Sequence, residues 1–386
     1  MGESTTPTTA GRLLSLDVFR GSTVAGMMLV NNPGSWGHIY PPFKHATWHG
    51  WTYTDTIFPF FLWIVGVAMS YSFTKRLERG DDPKKLLLHV VQRSAIIFAI
   101  GLFLSGFPFG LLFGHHFDIS NLRIPGVLQR IAVCYLVASF IVLYSNLTWQ
   151  IRWTGIFLIA YWLLVKLVPV PGYGAGVLDP LGNLCWYIDS TVLKGHTWTG
   201  APVLGFDPEG IVSTLPAIAT TLFGALTGHF IRSDRTREEK TVWMFVYGNA
   251  MLLIALLMDN WLPINKNLWT SSYSVFMAGL ALNVLAVCYW VIDVRGNRKW
   301  TKPFEIYGLN AITMFALAGL VGRLTSIVRI SVADGKEISL KAWYYDALFV
   351  PLGDPMFVSF LHSIAFMLGL YLVAYIMYRM KWVIKV

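Results

Sequence analysis

At 386 residues, 55% hydrophobic and only 13% charged, the chain is too apolar for a soluble protein, in which about a quarter of residues are charged; a lipid bilayer can cover the excess. Its formal charge of +9 does not mark a nucleic-acid partner, because the basic residues fall in short turns between apolar runs rather than in one patch. Three cysteines, with no CxxC or paired spacing, indicate neither a disulfide framework nor a zinc site.

Residues 1–11 are polar and read as a disordered cytoplasmic tail with no cleavable apolar region of its own. Residues 12–386 then form one transmembrane domain. Ten stretches are apolar over roughly the 20 residues that a spanning helix needs: 14–33, 53–74, 88–112, 125–145, 150–170, 211–232, 241–262, 268–292, 303–323 and 356–379. The fold class is all-α, a polytopic membrane protein of about ten transmembrane helices. With the N-terminus cytoplasmic, the turns on that side hold about 18 of the 30 Lys and Arg, against about eight in the longer loops opposite. Both termini are therefore placed inside.

The outer loops are unusual. Loop 33–52, PGSWGHIYPPFKHATWHGWT, is rich in His, Trp, Gly and Pro, and loop 171–210 is long and turn-rich. Such loops serve as binding lids or as structured plugs.

The candidate residues, in chain order, begin with Asp17 and Arg20. They share a helix face near the cytoplasmic end, where they can pair or form a mouth in which Arg20 meets a phosphate. Asn31 ends the first helix and can cap it, orient an imidazole or polarise a carbonyl. His45 can exchange a proton near neutral pH or attack a thioester, or simply bond at the interface. His38, His49 and His116 lie in neighbouring outer segments. Asp55 opens the second helix, where it favours the helix N-terminus and can also orient His45. Arg123, Gln129 and Arg130 surround the start of the fourth helix, and the last two are costly in an apolar stretch unless paired. Asp207 and Glu209 precede the sixth apolar stretch as caps or as ligands for a sugar hydroxyl or amine. Asn265 and Lys266 occupy a short outer turn, and Asn310 lies within the ninth stretch. The chain has no Walker loop, dinucleotide fingerprint, nucleophile elbow or HExxH in a credible context, and no metal site is expected.

Taken together, RLLSLDVFRG, LVNNPGSW and FKHATWHGWTYTDTIFPFFLWIVG, followed in order by LRIPGVLQRIAVCY, FDPEGIVSTLPAI and PINKNLWTSSY, resemble the heparan-α-glucosaminide N-acetyltransferase family over nearly the whole chain. The chain looks like the shorter bacterial type, without the N-terminal luminal domain of the lysosomal enzyme. The resemblance implies an integral protein of a bacterial inner membrane that forms a homodimer. It also implies transfer of acetyl from cytosolic acetyl-CoA to the amine of a glucosamine-type sugar across the bilayer. The family's active-site histidine, in a KHASWNG-like stretch, matches His45, and an asparagine in a VN pair matches Asn31. His49 stands where the lysosomal enzyme has Asn, and the segment SWGHIYPPF is longer, so this loop bears on acceptor choice.

On this reading Arg20, Arg130, Gln129 and Asn310 are expected to hold acetyl-CoA. Trp48, His49, Asp207, Glu209, Asn265 and Lys266 are expected to hold the sugar. The alternatives are a carrier for N-acetylglucosamine and an acyltransferase acting on cell-envelope polymers.

Overall fold

The computed structural model describes residues 13–111, 117–332 and 336–384; the expected tail 1–11 and His116 lie outside them. Thirteen α-helices appear among the described residues: α1 Leu14–Asn31, α2 Tyr53–Glu78, α3 Pro83–Gly106, α4 Val127–Tyr144, α5 Leu147–Leu167, α6 Leu184–Val192, α7 Thr214–Ile231, α8 Arg237–Asp259, α9 Ser271–Tyr289, α10 Lys302–Leu309, α11 Ala311–Ile327, α12 Leu340–Leu348 and α13 Pro355–Arg379. A two-stranded antiparallel hairpin, β1 Arg329–Ser331 with β2 Glu337–Ser339, precedes α12.

Each of the ten expected stretches falls on helix, and the protein is an all-α polytopic membrane protein. By length and composition seven helices among the described residues can cross a membrane: α2, α3, α4, α7, α8, α9 with its π-helical extension to Val294, and α13. The pair α10 and α11 is long and apolar enough only when taken together, and is bent by 81° between the two helices, as in a broken span or a re-entrant loop. Helix α1 has 18 residues and α5 has 21, but both fall short on apolarity. Asp17 and Arg20 dilute α1, and Gln150, Arg152 and Lys166 dilute α5.

Helix starts follow side-chain chemistry. Asp82, Asn146 and Asp354 each accept a backbone N–H from the first turn of α3, α5 and α13, and Pro83 and Pro355 sit where a missing N–H costs nothing. Thr236 and Glu239 form a reciprocal capping box at α8.

The central helices meet backbone to backbone. A Cβ added to Gly66 of α2 would lie 1.9 Å from the Thr221 carbonyl oxygen of α7, and one added to Gly224 would lie 1.9 Å from that of Trp63. Small residues thus set the α2–α7 contact, as expected where lipid competes equally for apolar surface. Helices α3 and α8 instead expose Leu88, Ile96 and Phe103, and Val246, Leu253 and Leu257, a lipid-facing pattern.

The basic segments gather at one end. There Arg232 pairs with Glu78 at 2.5 Å, Arg237 donates to the Asp293 carbonyl, and the Ser15 N–H donates to the Asp293 carboxylate. At this end Asn310 divides α10 from α11. Its amide donates to the Trp382 carbonyl at 3.0 Å and accepts the Ile384 N–H at 2.9 Å, so it pins the C-terminal tail.

At the opposite, loop-rich end, segments 33–52, 171–210 and 263–269 interlock into a cap. Gly50 N–H donates to the Ile264 carbonyl at 2.7 Å, and the Trp48 indole donates to the Leu178 carbonyl at 2.8 Å. Helices α6 and α12 and the hairpin all belong to this end and were not expected from hydropathy.

Candidate active site

The loop-rich cap positions His45. Asp55, in the first turn of α2, is 1% exposed and places its two carboxylate oxygens differently. Oδ2 accepts the N–H groups of Ala46 and Thr52, each at 3.0 Å, which folds the loop back onto the helix start. Oδ1 is left for His45 Nδ1, at 2.6 Å. An ionised carboxylate only accepts, so Nδ1 carries the hydrogen and Nε2 keeps its lone pair. Tyr273 of α9 steadies the arrangement by donating its hydroxyl to the Asp55 carbonyl at 2.6 Å. The His45 side chain is 51% exposed, so the imidazole is anchored on one edge and accessible on the other.

That accessible side opens onto a cavity of about 120 Å³ that Asn31, Glu209 and Lys266 also line. A second cavity of about 170 Å³, lined by Arg20 and Arg93, shares Phe61, Val127 and Phe315 with the first. The two abut at these three side chains. Together they run from Arg20, in the second turn of α1, to His45 at the other end of the bundle.

Glu209 owes its place to Arg123. The guanidinium binds Asp207 through Nε at 2.9 Å and Nη2 at 2.7 Å, and reaches Glu209 at 2.5 Å. Burial alone would push the Glu209 carboxyl up, but Arg123, Lys266 and Arg130 outweigh it and hold the group below the usual carboxylate value. Burial likewise opposes the charge on Arg123, and Glu209 and Asp207 more than restore it. Asp207 also accepts the N–H groups of Trp198 and Glu209, both at 2.9 Å, and is fully buried. Its lone pairs are spent on folding the loop.

The expected site residues therefore divide into groups. His45, Asn31, Glu209 and Lys266 share one cavity, with Asp55 directly behind the imidazole. Arg20 lines the adjoining cavity and bonds Asp17 at 3.0 Å. Trp48, His49, Asn265 and Asp207 belong to the cap: Asn265 donates to His49 Nδ1 at 3.3 Å and accepts the Leu268 N–H at 2.8 Å. The structure does not bring Arg130 and Gln129 to Arg20. Arg130 sits at the loop-rich end, donating to the Gly210 carbonyl at 3.0 Å and to Ser213 at 2.5 Å, with its guanidinium over the Trp269 ring. Its Nε and Nη1, and Gln129 Nε2, have no hydrogen-bond partner among the described residues. Asn310 is at the far end with the tail. Sequence reasoning missed Arg93 and Tyr273 as participants. A lone arginine inside the apolar stretch of α3 was the signal for the first; nothing local marks the second.

Comparison with known proteins supplies the family. A family profile described as "Heparan-alpha-glucosaminide N-acetyltransferase, catalytic" matches residues 12–265. The human heparan-alpha-glucosaminide N-acetyltransferase is 31% identical over 356 residues, covering 79% of this chain and 52% of the human one. The mouse protein of the same name is 30% identical over 357 residues, covering 79% of this chain and 53% of its own. The chain spans about half the length of the curated relatives it matches. The profile covers more than half of the chain and includes His45, Asn31, Asp55 and Glu209, and by that match the chain belongs to the heparan-alpha-glucosaminide N-acetyltransferase family.

Proposed function

We propose that this chain is a transmembrane acetyltransferase. In this reading acetyl-CoA enters at the basic, cytoplasmic end, and the amine of a glucosamine-type sugar is acetylated at the loop-rich, periplasmic end. The observation that carries the reading is the pair of abutting cavities between Arg20 and Arg93 at one extreme and the Asp55-held imidazole of His45 at the other. A donor with an anionic head and a long narrow arm suits a largely apolar passage with two guanidinium groups in its wall. Arg93 is held there with its guanidinium 5.2 Å from the centre of the Tyr135 ring.

The chemistry follows from the tautomer. His45 Nε2 takes a proton from the acceptor amine as the new N–C bond forms and the thioester C–S bond breaks. That proton then leaves on the departing sulfur, so His45 returns to neutral and no net proton is gained or lost. Asp55 stabilises the imidazolium in between. Nucleophilic attack by the same Nε2 on the thioester carbon, expelling the CoA thiolate and giving an acetyl-imidazolium that the amine then opens, with the amine's proton passing to the thiolate, uses the same tautomer and the same Asp55 contact. Asn31, in the wall of the His45 cavity, is assigned to donate its amide to the thioester oxygen as charge builds there. Glu209 and Lys266 are assigned to the sugar, an acceptor and a donor for its hydroxyls or ammonium.

The test is acetyl transfer by the purified protein from radiolabelled acetyl-CoA to glucosamine. The expected product is N-acetylglucosamine, lost in His45→Ala. Undiminished activity in His45→Ala would remove that residue's role, and failure with every amino sugar, including cell-envelope fragments, would remove the reaction. Uptake of N-acetylglucosamine into liposomes without acetyl-CoA would favour a carrier instead.

A further inference from the structure

Beside the His45 cavity lies another, of about 270 Å³, which shares Met27, Asn31 and Phe315 with it. Two cations line this cavity, Arg323 of α11 and Lys341 of α12, and no carboxylate among the described residues does. Arg323 has no hydrogen bond or ion pair among the described residues. Another cation, Arg123, works against its charge, and Asp207 and Glu209 already engage that cation. Lys341 donates to the Pro33 carbonyl at 2.7 Å, a neutral partner. His362 adds no countercharge. Its Nδ1 donates to the Asn32 carbonyl at 3.2 Å, so Nε2 accepts the Tyr344 hydroxyl at 2.8 Å. Burial also works against the Lys341 ammonium, lowering its pKa. Two half-buried positive charges left unopposed are costly unless a ligand brings the missing negative charge. At the rim Trp36, 65% exposed, offers an apolar plate of the kind on which a sugar face stacks.

We propose that this cavity is a phosphate subsite for the acceptor: the sugar acetylated at His45 carries a phosphate, which Arg323 and Lys341 bind. The inference rests on the acetylation reading of the His45 cavity and adds the substrate class to it. The charge count selects phosphate. A phosphate monoester, near two negative charges at neutral pH, matches both cations, whereas a carboxylate matches one. Arginine supplies a planar fork for two of its oxygens, and lysine a point charge for a third. The shared wall at Asn31 allows one molecule to occupy both cavities.

The experiment compares kcat/KM for glucosamine, glucosamine 1-phosphate and glucosamine 6-phosphate, with the full-length protein in neutral detergent. The wild type should favour one of the phosphorylated sugars by at least about tenfold, the effect of a charge-assisted contact that only one acceptor makes. In Arg323→Gln and in Lys341→Gln that preference should fall to within about twofold, and Arg323→Lys should keep part of it. Should the glutamine variants fail to fold, calorimetric titration of glucosamine 1-phosphate and 6-phosphate into the wild type decides. Binding of either that inorganic phosphate displaces supports the subsite, and no binding of either overturns it. A wild type without preference overturns the proposal, as does a preference that both variants retain. Two other sources of phosphate have their own signatures. Phosphatidylglycerol that inhibits the wild type but not Arg323→Gln, with no acceptor preference, assigns the cavity to a lipid. A KM for acetyl-CoA raised in Arg323→Gln, with acceptor preference unchanged, assigns it to the donor. Either result also overturns the proposal. If the wild type acetylates none of the three sugars, the acetylation reading fails, and the subsite with it only if neither phosphorylated sugar binds.

Discussion

Replacing Asp55 by Asn keeps the size of the side chain and changes what His45 can do. The N–H groups of Ala46 and Thr52 both point at Oδ2, so the amide oxygen must take that position. The NH₂ group is then turned toward His45 Nδ1, 2.6 Å away in the native contact. Two donors cannot face each other, so the imidazole moves its hydrogen to Nε2, and the lone pair that should meet the amine or thioester is lost. The carboxylate that balanced the imidazolium is lost as well. His45 is half exposed, so an effective dielectric near 20 is appropriate, and a unit pair about 4 Å apart is then worth about 4 kcal/mol. That corresponds to about a thousandfold in rate. We expect Asp55→Asn to lower kcat by about 10²–10⁴-fold, with a thermal midpoint close to wild type and a KM for acetyl-CoA changed less than about threefold. The assay is initial-rate acetyl transfer in detergent, alongside a melting curve. A kcat within fivefold of wild type in a folded Asp55→Asn protein would refute the role assigned to the pair.

Four further outcomes follow from the same contacts. Val127→Trp, at the junction of the two cavities, should cut transfer by more than about a hundredfold while the protein still folds, since overpacking costs only about 1–3 kcal/mol; equal turnover would show that the donor does not pass there. Arg123→Ala strands the buried Asp207 and Glu209 carboxylates and should destabilise the protein by about 3–5 kcal/mol, measured by thermal or denaturant unfolding. Gly66→Ala should lower the melting temperature markedly by pushing α2 from α7, with an unchanged melt counting against that backbone contact. Asp189 of α6 is buried with Oδ2 unpartnered among the described residues, and burial pushes its carboxyl up to about 7. An acid raised in the folded state above an unfolded value near 3.9 favours folding least when ionised, so stability declines as pH rises from about 4 to 7 and then levels. Glu209, held low, works oppositely, and its contribution is lost only as pH falls below the ordinary carboxylate value. Asp189→Asn should therefore flatten the melting temperature between pH 5 and pH 8, and an unaltered slope would place the titrating group elsewhere.

The membrane helices were legible because burial in lipid demands long apolar runs, and that demand is written locally. The break at Asn310 was not legible, because the tail residues Trp382 and Ile384 that satisfy its amide lie some 70 positions away. Helix α12 and the hairpin before it are short and half exposed, so they leave no hydropathy signal. At the site, the nearness of His45 and Asp55 was visible as a ten-residue spacing, but the bond depended on a loop fold that Ala46 and Thr52 complete. Asp207 and Glu209 looked equivalent in GFDPEG. Arg123, 84 residues upstream of Asp207, bonds both; they differ because Asp207 also takes the N–H groups of Trp198 and Glu209, while Glu209 lines the cavity. Arg130 and Arg20 looked alike as arginines in apolar stretches, yet helix direction puts them at opposite ends of the bundle.

The proposed passage joins a donor side to an acceptor side, with His45 at the junction of chemistry. It is tested most directly in sealed proteoliposomes of known protein orientation, with radiolabelled acetyl-CoA on the side of the basic end and glucosamine trapped on the other. N-acetylglucosamine should accumulate only in the acceptor compartment, with free CoA remaining on the donor side, and no product should form with His45→Ala. Product formed only when both substrates share one compartment would contradict it.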